Sequence, residues 1–294
     1  MTTQPVARPQ PPSPTAKRVA TAIFALIVVG AAVTVDLRID RLTDLPVRLW
    51  DIGVRMFSDL DFDYLPTAFG LMIESIQIAW LGTIIGALLS LPLAFFGAKN
   101  ITSGVVSNVV RLILNAIRAI PEILLAVVIF IPMVGVGAYA GTLAIGIHSI
   151  GTLGKLSAEV IEGIDTGPVE AARATGGRPL QVQRWGVLPQ VLPEIVAFWL
   201  YRFEINVRAS AILGVVGAGG IGEALVQSLV YRRYDRAGMA IIVVIVVTIL
   251  IDLVSGWARR RIIAGGSTGP RADDAIEEPT FAATGAGRID TGIG

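Results

Sequence analysis

The chain has 294 residues, of which 53% are hydrophobic and 16% are charged, a composition too apolar for an ordinary soluble domain. It contains no cysteine and one histidine, which excludes disulfides, thiolate catalysis and the common zinc sites, so we expect no metal and no other cofactor. The formal net charge of +1 gives no indication of a nucleic-acid partner.

The N-terminal region predicts a tail followed by a membrane helix. Residues 1–18 are rich in proline and small polar residues, so we expect a disordered tail on the cytoplasmic side. The uncharged run 19–35 follows Lys17 and Arg18 and predicts the first transmembrane helix. A cleaved signal peptide is the alternative, but the long leader and the later apolar runs favour an uncleaved helix. Residues 36–68 mix aspartate and arginine and predict an external loop.

A second apolar run, residues 75–98, predicts the next transmembrane helix. The uncharged stretch 123–154 is too long for one helix across a hydrocarbon core of about 30 Å, so the chain must turn within it. We place that turn at the glycine-rich residues 135–141. The helix before the turn must then begin near residue 105 to be long enough to span. This extension brings three charged side chains into or near the membrane: Arg111, Arg118 and Glu122.

Three more apolar runs complete a prediction of six transmembrane helices in an all-α integral membrane protein. They cover residues 141–161, 191–216 and 237–257. Basic residues before the first helix (Lys17 and Arg18) and after the last (259–261) predict that both termini are cytoplasmic. The basic residues 232–236 fall on the outer side and do not follow this rule. Residues 264–294 are rich in glycine, threonine and acids and predict a disordered cytoplasmic tail.

A short helix is predicted in the loop between the fourth and fifth spans, which this topology places in the cytoplasm. Turn-forming residues lead to Pro168, which suits a first helical turn, and Glu170 lies near the positive end of the helix dipole. Gly176 and Gly177 end the helix after about two turns. A helix this short is marginal in water and must be docked, which suits a contact point for a partner protein.

The run Glu170-Ala171-Ala172-Arg173-Ala174-Thr175-Gly176, followed by Leu188-Pro189, resembles the EAA motif of ABC importer permeases. In that family the motif forms a coupling helix that sits in a cleft of the ATP-binding subunit, which implies such a helix near residues 168–176. The position where the motif prefers isoleucine is Gly186 in this chain. The resemblance implies six coupling residues: Glu170, Ala171, Ala172, Gly176, Leu188 and Pro189.

Four further segments narrow the resemblance to the phosphonate-type subgroup, which is methionine/phosphonate permease-like. They are residues 118–122, 148–155, 202–208 and 217–222. Membership implies an ABC type I importer permease core with five transmembrane helices at residues 69–258, plus the extra N-terminal helix. It also implies a homodimer in the bacterial inner membrane, two ATP-binding subunits and an extracytoplasmic substrate-binding protein. The implied substrate is phosphonate, phosphate or phosphite.

Charged residues predicted to lie in the membrane are candidates for a translocation path, since arginine there is costly unless it is paired or hydrated. Arg118 and Arg202 fall near the bilayer midplane, where a guanidinium can bind a phosphonate through two hydrogen bonds. Glu204 and Arg208 complete the candidate path. The alternative is structural, because Glu204 and Arg208 are one helical turn apart and can neutralise each other. The same alternative applies to Arg118 and Glu122.

Two further features of the membrane segments have competing interpretations. His148 is expected to form a hydrogen-bonded contact between helices, and a proton relay is the alternative. The segment 217–222 matches the spacing of a dinucleotide-binding loop but follows a membrane helix rather than a strand, so we predict a sharp turn that serves as an outer gate. The predicted gate residues are Gly217, Gly219, Gly220 and Gly222.

The energy source is expected to be outside this chain, because the sequence contains no nucleotide-binding loop of the Walker type. We therefore expect a permease that works by alternating access and is driven by a separate ATPase, rather than an enzyme. The alternative is a self-sufficient secondary transporter, which uses ion-coupling groups and discontinuous helices in matched halves. A membrane-embedded enzyme is a third reading, and no catalytic constellation in the sequence supports it.

Overall fold

The computed structural model describes residues 14–34 and 39–266, and all regular structure in these residues is helical. The chain divides into two units, Met1–Leu60 and Asp61–Gly294. Most of both predicted tails lies outside the described residues. The exceptions are residues 14–18, which belong to the first helix, and residues 264–266, which belong to the last.

The first unit contains two helices, α1 (Pro14–Thr34) and α2 (Ile39–Phe57). The apolar stretch of α1, Lys17–Thr34, has no buried residue, as expected of a helix that faces lipid. Helix α2 occupies most of the segment 36–68, which was predicted as a loop. The mixed charges of α2 recur at helical spacing on one face, so the segment forms an amphipathic helix rather than an irregular connection.

The second unit starts with a single turn of 3₁₀ helix, Phe62–Tyr64, and contains nine helices in its described part. These are α3 (Leu65–Gly97), α4 (Gly104–Ala119), α5 (Glu122–Val134), α6 (Ala138–Glu162), α7 (Thr166–Ala174), α8 (Pro179–Val182), α9 (Leu188–Gly214), α10 (Gly220–Val230) and α11 (Tyr234–Gly266). Wider π-helical turns form the middle of α5 and the link Gln183–Val187 between α8 and α9.

The predicted continuous helix from about residue 105 to the turn near residue 135 is wrong. Helix α4 ends at Ala119 and α5 starts at Glu122, with an angle of 80° between their axes. Pro121 has no N–H to donate, and it disfavours helical backbone at Ile120, which is extended with φ −89° and ψ 118°. Arg118 and Glu122 therefore lie on different helices and do not form the predicted pair along one helix.

A turn lies between α5 and α6 where one was predicted, but it covers only residues 135–137 of the predicted 135–141, because α6 already starts at Ala138. Gly135 and Gly137 both adopt left-handed backbone angles, with φ of +88° and +135°. Glycine is the residue that reaches these angles without steric cost, so the two positions allow the chain to reverse direction there.

Three helices in the described part of the chain are long and apolar enough to cross a membrane: Lys17–Thr34, Phe62–Gly97 and Tyr234–Ile263. The bent pair α4 and α5 is a fourth if it is counted as one span. Helices α6 and α9 have 25 and 27 residues but carry more small and charged residues. Such residues suit helices that pack against other helices rather than lipid. The total of six spans therefore stays a prediction.

Helix α3 lies at the centre of the second unit and contributes to all three clusters of buried apolar residues. Met72 packs with residues of α9, α10 and α11, whereas Ile78 packs with residues of α5, α6 and α9. Ala94 packs with residues of α6 and α9 near the opposite end of α3. Because the clusters follow one another along α3, they hold the other long helices around it.

Helices α3 and α6 pack so closely that their backbones touch at glycines. A Cβ atom on Gly86 would lie 2.5 Å from Cβ of Ser149, and one on Gly82 would lie 2.7 Å from Cγ2 of Ile145. Small residues four positions apart are typical of such contacts between membrane helices. The close approach brings polar groups of α3 and α6 within reach of α9.

We expect Gly86→Ala to destabilise the protein, because the added methyl group forces α3 and α6 apart. Overpacking of this kind costs about 1–3 kcal/mol. Gly70→Ala is the matched control on the same helix, since a Cβ atom there meets nothing within 4 Å. The measurement is the temperature at which detergent-purified protein loses its monodisperse elution. A Gly86→Ala protein as heat-stable as Gly70→Ala would contradict the packing.

Candidate functional site

The short helix α7 connects the two long helices α6 and α9 and lies where a short helix was predicted. It has nine residues and starts after Asp165, whose side chain accepts a hydrogen bond of 2.9 Å from the Gly167 amide. This cap places the start of the helix two residues before Pro168. Glu170 and Ala171 are exposed, Ala172 is half-buried, and Gly176 ends the segment with a φ of +77°.

Helix α7 is docked on the protein through its inner face. Val169 packs against the buried cluster that includes Ile161 and Val187. A Cβ atom on Gly186 would lie 3.0 Å from Cα of Val169, so glycine lets the link before α9 approach the backbone of α7. This contact gives a physical reason for glycine where the EAA motif prefers isoleucine. Docking also supplies the stability that nine residues lack in water.

Gln190, in the first turn of α9, joins the start of α7 to α9. Its Oε1 accepts from the Asp165 amide at 3.1 Å, and its Nε2 donates to the carbonyl oxygens of Asp165 at 3.2 Å and Gly186 at 2.6 Å. Two predicted coupling residues lie beside it: Leu188 is half-buried and Pro189 is exposed. Sequence reasoning missed Gln190, although its place directly after the motif was a usable signal.

Glu162, one residue beyond the span predicted to end at Ile161, connects the end of α6 to the loop before α4 and to the middle of α4. It accepts one hydrogen bond of 2.6 Å from the Lys99 amide and pairs with the Arg111 guanidinium at 2.6 Å. Burial raises the pKa of Glu162, but these two donors outweigh burial and hold the pKa below its ordinary value. The carboxylate therefore fixes the base on which α7 is docked.

A cavity of 330 Å³ lies beside α7. Its wall includes apolar and charged side chains, among them Asn100, Val169, Glu170 and Arg173. Asn100 donates a hydrogen bond of 2.7 Å to the Ile161 carbonyl, so this wall is fixed to the end of α6. The exposed face of α7 and the cavity together form a concave surface at one end of the second unit.

A buried polar cluster joins α9 to α3 and α6. Arg202 is 7% exposed, and its Nε donates to Oγ of Ser149 at 3.1 Å. Asn206, one turn further along α9, donates to Oγ1 of Thr83 at 2.8 Å and to Oγ of Ser149 at 3.1 Å. Arg202 is thus enclosed within one copy of the chain. The sequence did not indicate that Asn206, Ser149 and Thr83 would form this polar cluster with Arg202.

The other two predicted path residues on α9 face a different helix. Glu204 pairs with Arg259 at 3.2 Å, and Arg208 pairs with Asp252 at 3.1 Å, both across to α11. Glu204 and Arg208 thus have the structural pairing role of the alternative interpretation, but their nearest partners are on α11 rather than each other. Asp252 was detectable as the charge that interrupts the last apolar run.

The break between α4 and α5 places three further polar groups together. Nδ1 of His148 lies 3.0 Å from the Ile120 carbonyl oxygen, and Nε2 lies 3.5 Å from a carboxylate oxygen of Glu122. A carbonyl can only accept, so Nδ1 carries the hydrogen. The predicted contact of His148 between helices is confirmed. Arg118, at the end of α4, is exposed and has no ion pair within 4.0 Å among the described residues.

The glycine-rich segment 217–222 forms the reversal from α9 into α10. Gly217, Gly219 and Gly220 adopt φ values of +86°, +81° and +73°, which other residues reach only with strain. A Cβ atom on Gly222 would overlap the Ala211 carbonyl. The reversal is held to α3 because Oγ of Ser75 accepts from the Ile221 amide at 3.0 Å.

A second cavity, of 660 Å³, lies beside this reversal at the end of the unit away from α7. Glu74, Gly219 and Glu223 contribute to its wall together with two arginines, Arg233 and Arg236. Both arginines face one carboxylate, Asp61, which lies 4.0 Å from Arg233 and 3.0 Å from Arg236. The arginine charge at this cavity is therefore partly neutralised by the protein itself.

Comparison with known proteins assigns the fold and the class of the chain. Residues 90–264 match the family described as the binding-protein-dependent transport system inner membrane component. The chain is 43% identical over 190 residues to the phosphite transport system permease protein PtxC of Stutzerimonas stutzeri, covering 64% of this chain and 69% of PtxC. It is 41% identical over 191 residues to the phosphate-import permease protein PhnE of Mycolicibacterium smegmatis, covering 65% of this chain and 36% of PhnE.

A solved structure of the MetNI methionine ABC transporter has a similar fold. The TM-score is 0.61 with 23% sequence identity, and the alignment covers 69% of this chain and 99% of the matched chain. At this identity the likeness concerns the fold. It confirms the predicted ABC type I importer permease-like architecture.

We expect Arg208→Asp to destabilise the protein, because two carboxylates then face each other between α9 and α11. The double variant Arg208→Asp with Asp252→Arg restores opposite charges and is expected to recover most of the lost stability. The measurement is the melting temperature and yield of folded protein in mild detergent. If the double variant were no more stable than the single one, the pair would not be a structural link between these helices.

Proposed function

Because the chain belongs to the family of binding-protein-dependent transport system inner membrane components, and is therefore the permease subunit of an ABC importer rather than an enzyme, we propose that it transports a phosphorus oxyanion. The transported ion is phosphite, phosphate or phosphonate. The observation that carries the proposal is the 43% identity to a phosphite permease. An ATP-binding subunit and a substrate-binding protein complete such an importer, so an ion gradient is not needed as the energy source.

The chain is proposed to work as a homodimer in which the path runs between two copies. Arg118 supports this arrangement, because it is exposed and has no ion pair in the described part of one chain. An arginine in the membrane faces a protein interior or a hydrated cavity rather than lipid. A second copy placed over α4 would enclose Arg118 in such a cavity, and its guanidinium would attract an oxyanion.

The other predicted path residues are assigned different parts in this proposal. Arg202 is buried and hydrogen-bonded to α6, so it does not reach a substrate in the path unless α9 moves. Glu204 and Arg208 hold α9 against α11 through their ion pairs. Asn206 keeps α9 in register with α3 and α6. Substrate contact therefore falls mainly to Arg118.

Helix α7 is proposed to be the coupling helix, and in the homodimer each copy of α7 sits in a cleft of one of the two ATP-binding subunits. It faces the cytoplasm, as do both termini of the chain. Movement of the ATP-binding subunits then passes through Gln190 to α9, whose far end continues into the glycine reversal at 217–222. That reversal is proposed to act as the outer gate, because its glycines permit backbone angles that few other residues adopt. Coupling requires each state of the ATPase to favour a different state of the permease.

We expect cells that can oxidise phosphite and cleave phosphonates, but that lack their own phosphorus uptake systems, to grow on at least one of phosphite, phosphate or a phosphonate when they express this chain. The cells must also express its ATP-binding subunit and its binding protein. Growth should stop when the nucleotide-binding lysine of the ATPase is replaced, because the permease has no energy source of its own. Uptake that persists without a working ATPase would contradict an ABC importer, and failure on all three substrates would contradict the proposed cargo.

Gln190→Leu is expected to reduce uptake strongly while the chain still inserts and binds the ATPase. The variant keeps the approximate size of the side chain. It removes the two hydrogen bonds to Asp165 that join α7 to α9 and a third to the Gly186 carbonyl in the link before α9. Gln77→Leu is the matched control, since it makes the same chemical change at an exposed position of α3, away from α7 and its cavity. The measurement is substrate uptake compared with ATP hydrolysis by the purified complex in liposomes. Normal stimulation of hydrolysis and normal uptake in Gln190→Leu would exclude this route of coupling.

A further inference from the structure

Helix α2 has a narrow stripe of charge that runs along its length. Asp44, Arg48, Asp51 and Arg55 follow one another at spacings of four, three and four residues. At about 100° per residue, these four positions fall within an arc of about 60°. Two acids and two bases make the stripe neutral, and the Arg48 and Asp44 side chains lie 3.6 Å apart as an exposed ion pair.

The remaining surface of α2 is broad and apolar, and it is mostly exposed except near its end, where Met56 is buried. Leu49 is 63% exposed and Trp50 is 73% exposed, and both lie away from the charged stripe on the helix. Large apolar side chains that remain in water are unfavourable, so this surface needs a cover. The same helix is too charged to cross a bilayer, and it is not among the segments that are long and apolar enough to do so.

The position of α2 in the chain indicates what covers it. Four residues separate it from the end of α1, and seven residues separate it from the start of α3. Both neighbours are candidate membrane spans, and the apolar stretch of α1 has no buried residue. Four extended residues reach about 14 Å at most, so the start of α2 stays close to the membrane end of α1.

We propose that α2 lies in the plane of the membrane surface and binds the lipid bilayer through its apolar face. Leu45, Leu49 and Trp50 then enter the boundary between headgroups and acyl chains, where tryptophan is favoured. The stripe from Asp44 to Arg55 faces water. Because the stripe is neutral, the contact depends on apolar burial and requires no anionic lipid. The proposed topology places α2 on the outer surface of the membrane and α7 on the cytoplasmic side, and this detail rests on that topology.

The chain has no cysteine, so single cysteines can carry spin labels without any background substitution. Leu49→Cys and Trp50→Cys place labels on the apolar face, and Arg48→Cys and Asp51→Cys are matched controls on the stripe. The full chain is reconstituted in phosphatidylcholine liposomes. We expect labels at 49 and 50 to collide more with oxygen than with a water-soluble nickel complex, and labels at 48 and 51 to show the reverse. The pattern should persist in high salt.

Three results would overturn the proposal. Equal access of the nickel complex at all four positions would mean that α2 lies free in water. Low access of both reagents at 49 and 50 would mean that protein, such as a second copy, covers the face. A pattern that appears only with anionic lipid would contradict binding by apolar burial.

The leaflet is tested separately from lipid binding. A label at Asp51→Cys and one at Glu170→Cys are exposed to ascorbate added outside the liposomes. Opposite sides predict complementary reduced fractions at the two positions. The test uses preparations in which one orientation of the chain predominates, so that complementary fractions differ. In such preparations equal fractions would overturn the proposed topology while leaving the lipid contact in place, and neither measurement depends on transport.

Discussion

A polar side chain within the membrane must find its partner inside the protein, because lipid offers none, and helix α9 shows how far this constraint shapes the fold. Arg202 and Asn206 bond to α6 and α3, whereas Glu204 and Arg208 pair with α11. These contacts leave α9 in different directions around its axis. They fix the rotation of α9, because turning the helix would leave these polar groups without their partners.

Close packing of glycines and polar bonding depend on each other in this structure. Ser149 bonds to α9 and lies against Gly86 of α3, and Thr83 beside that contact bonds to Asn206. A wider gap between α3 and α6 would leave Asn206 unable to reach both helices. Because Gln190 joins the other end of α9 to α7, one helix connects the short docked helix to the glycine reversal.

Features set by local backbone chemistry were predictable from the sequence, and features set by contacts between helices were not. The turn at Gly135 and the short helix from Thr166 follow from glycine, proline and capping residues. Pro121 also carries a local signal, but the need for a long enough span led to a continuous helix there. Helix α2 was not predicted, because its many charges suggest a loop unless their spacing of three and four residues is recognised as one face of a helix. The partners Asp252 and Arg259 depend on how distant segments meet, which spacing along the chain does not reveal.

The ion pairs between α9 and α11 also constrain how the protein is made. The ribosome adds Glu204 and Arg208 to the chain well before Asp252 and Arg259, since α10 lies between α9 and α11 in the sequence. Until the later helix emerges, α9 would enter lipid with charges that have no counterpart there, at a cost of about 2.5–3.5 kcal/mol for an arginine or acid at the centre of a helix. The two helices are therefore best released from the insertion machinery together, as a hairpin already paired.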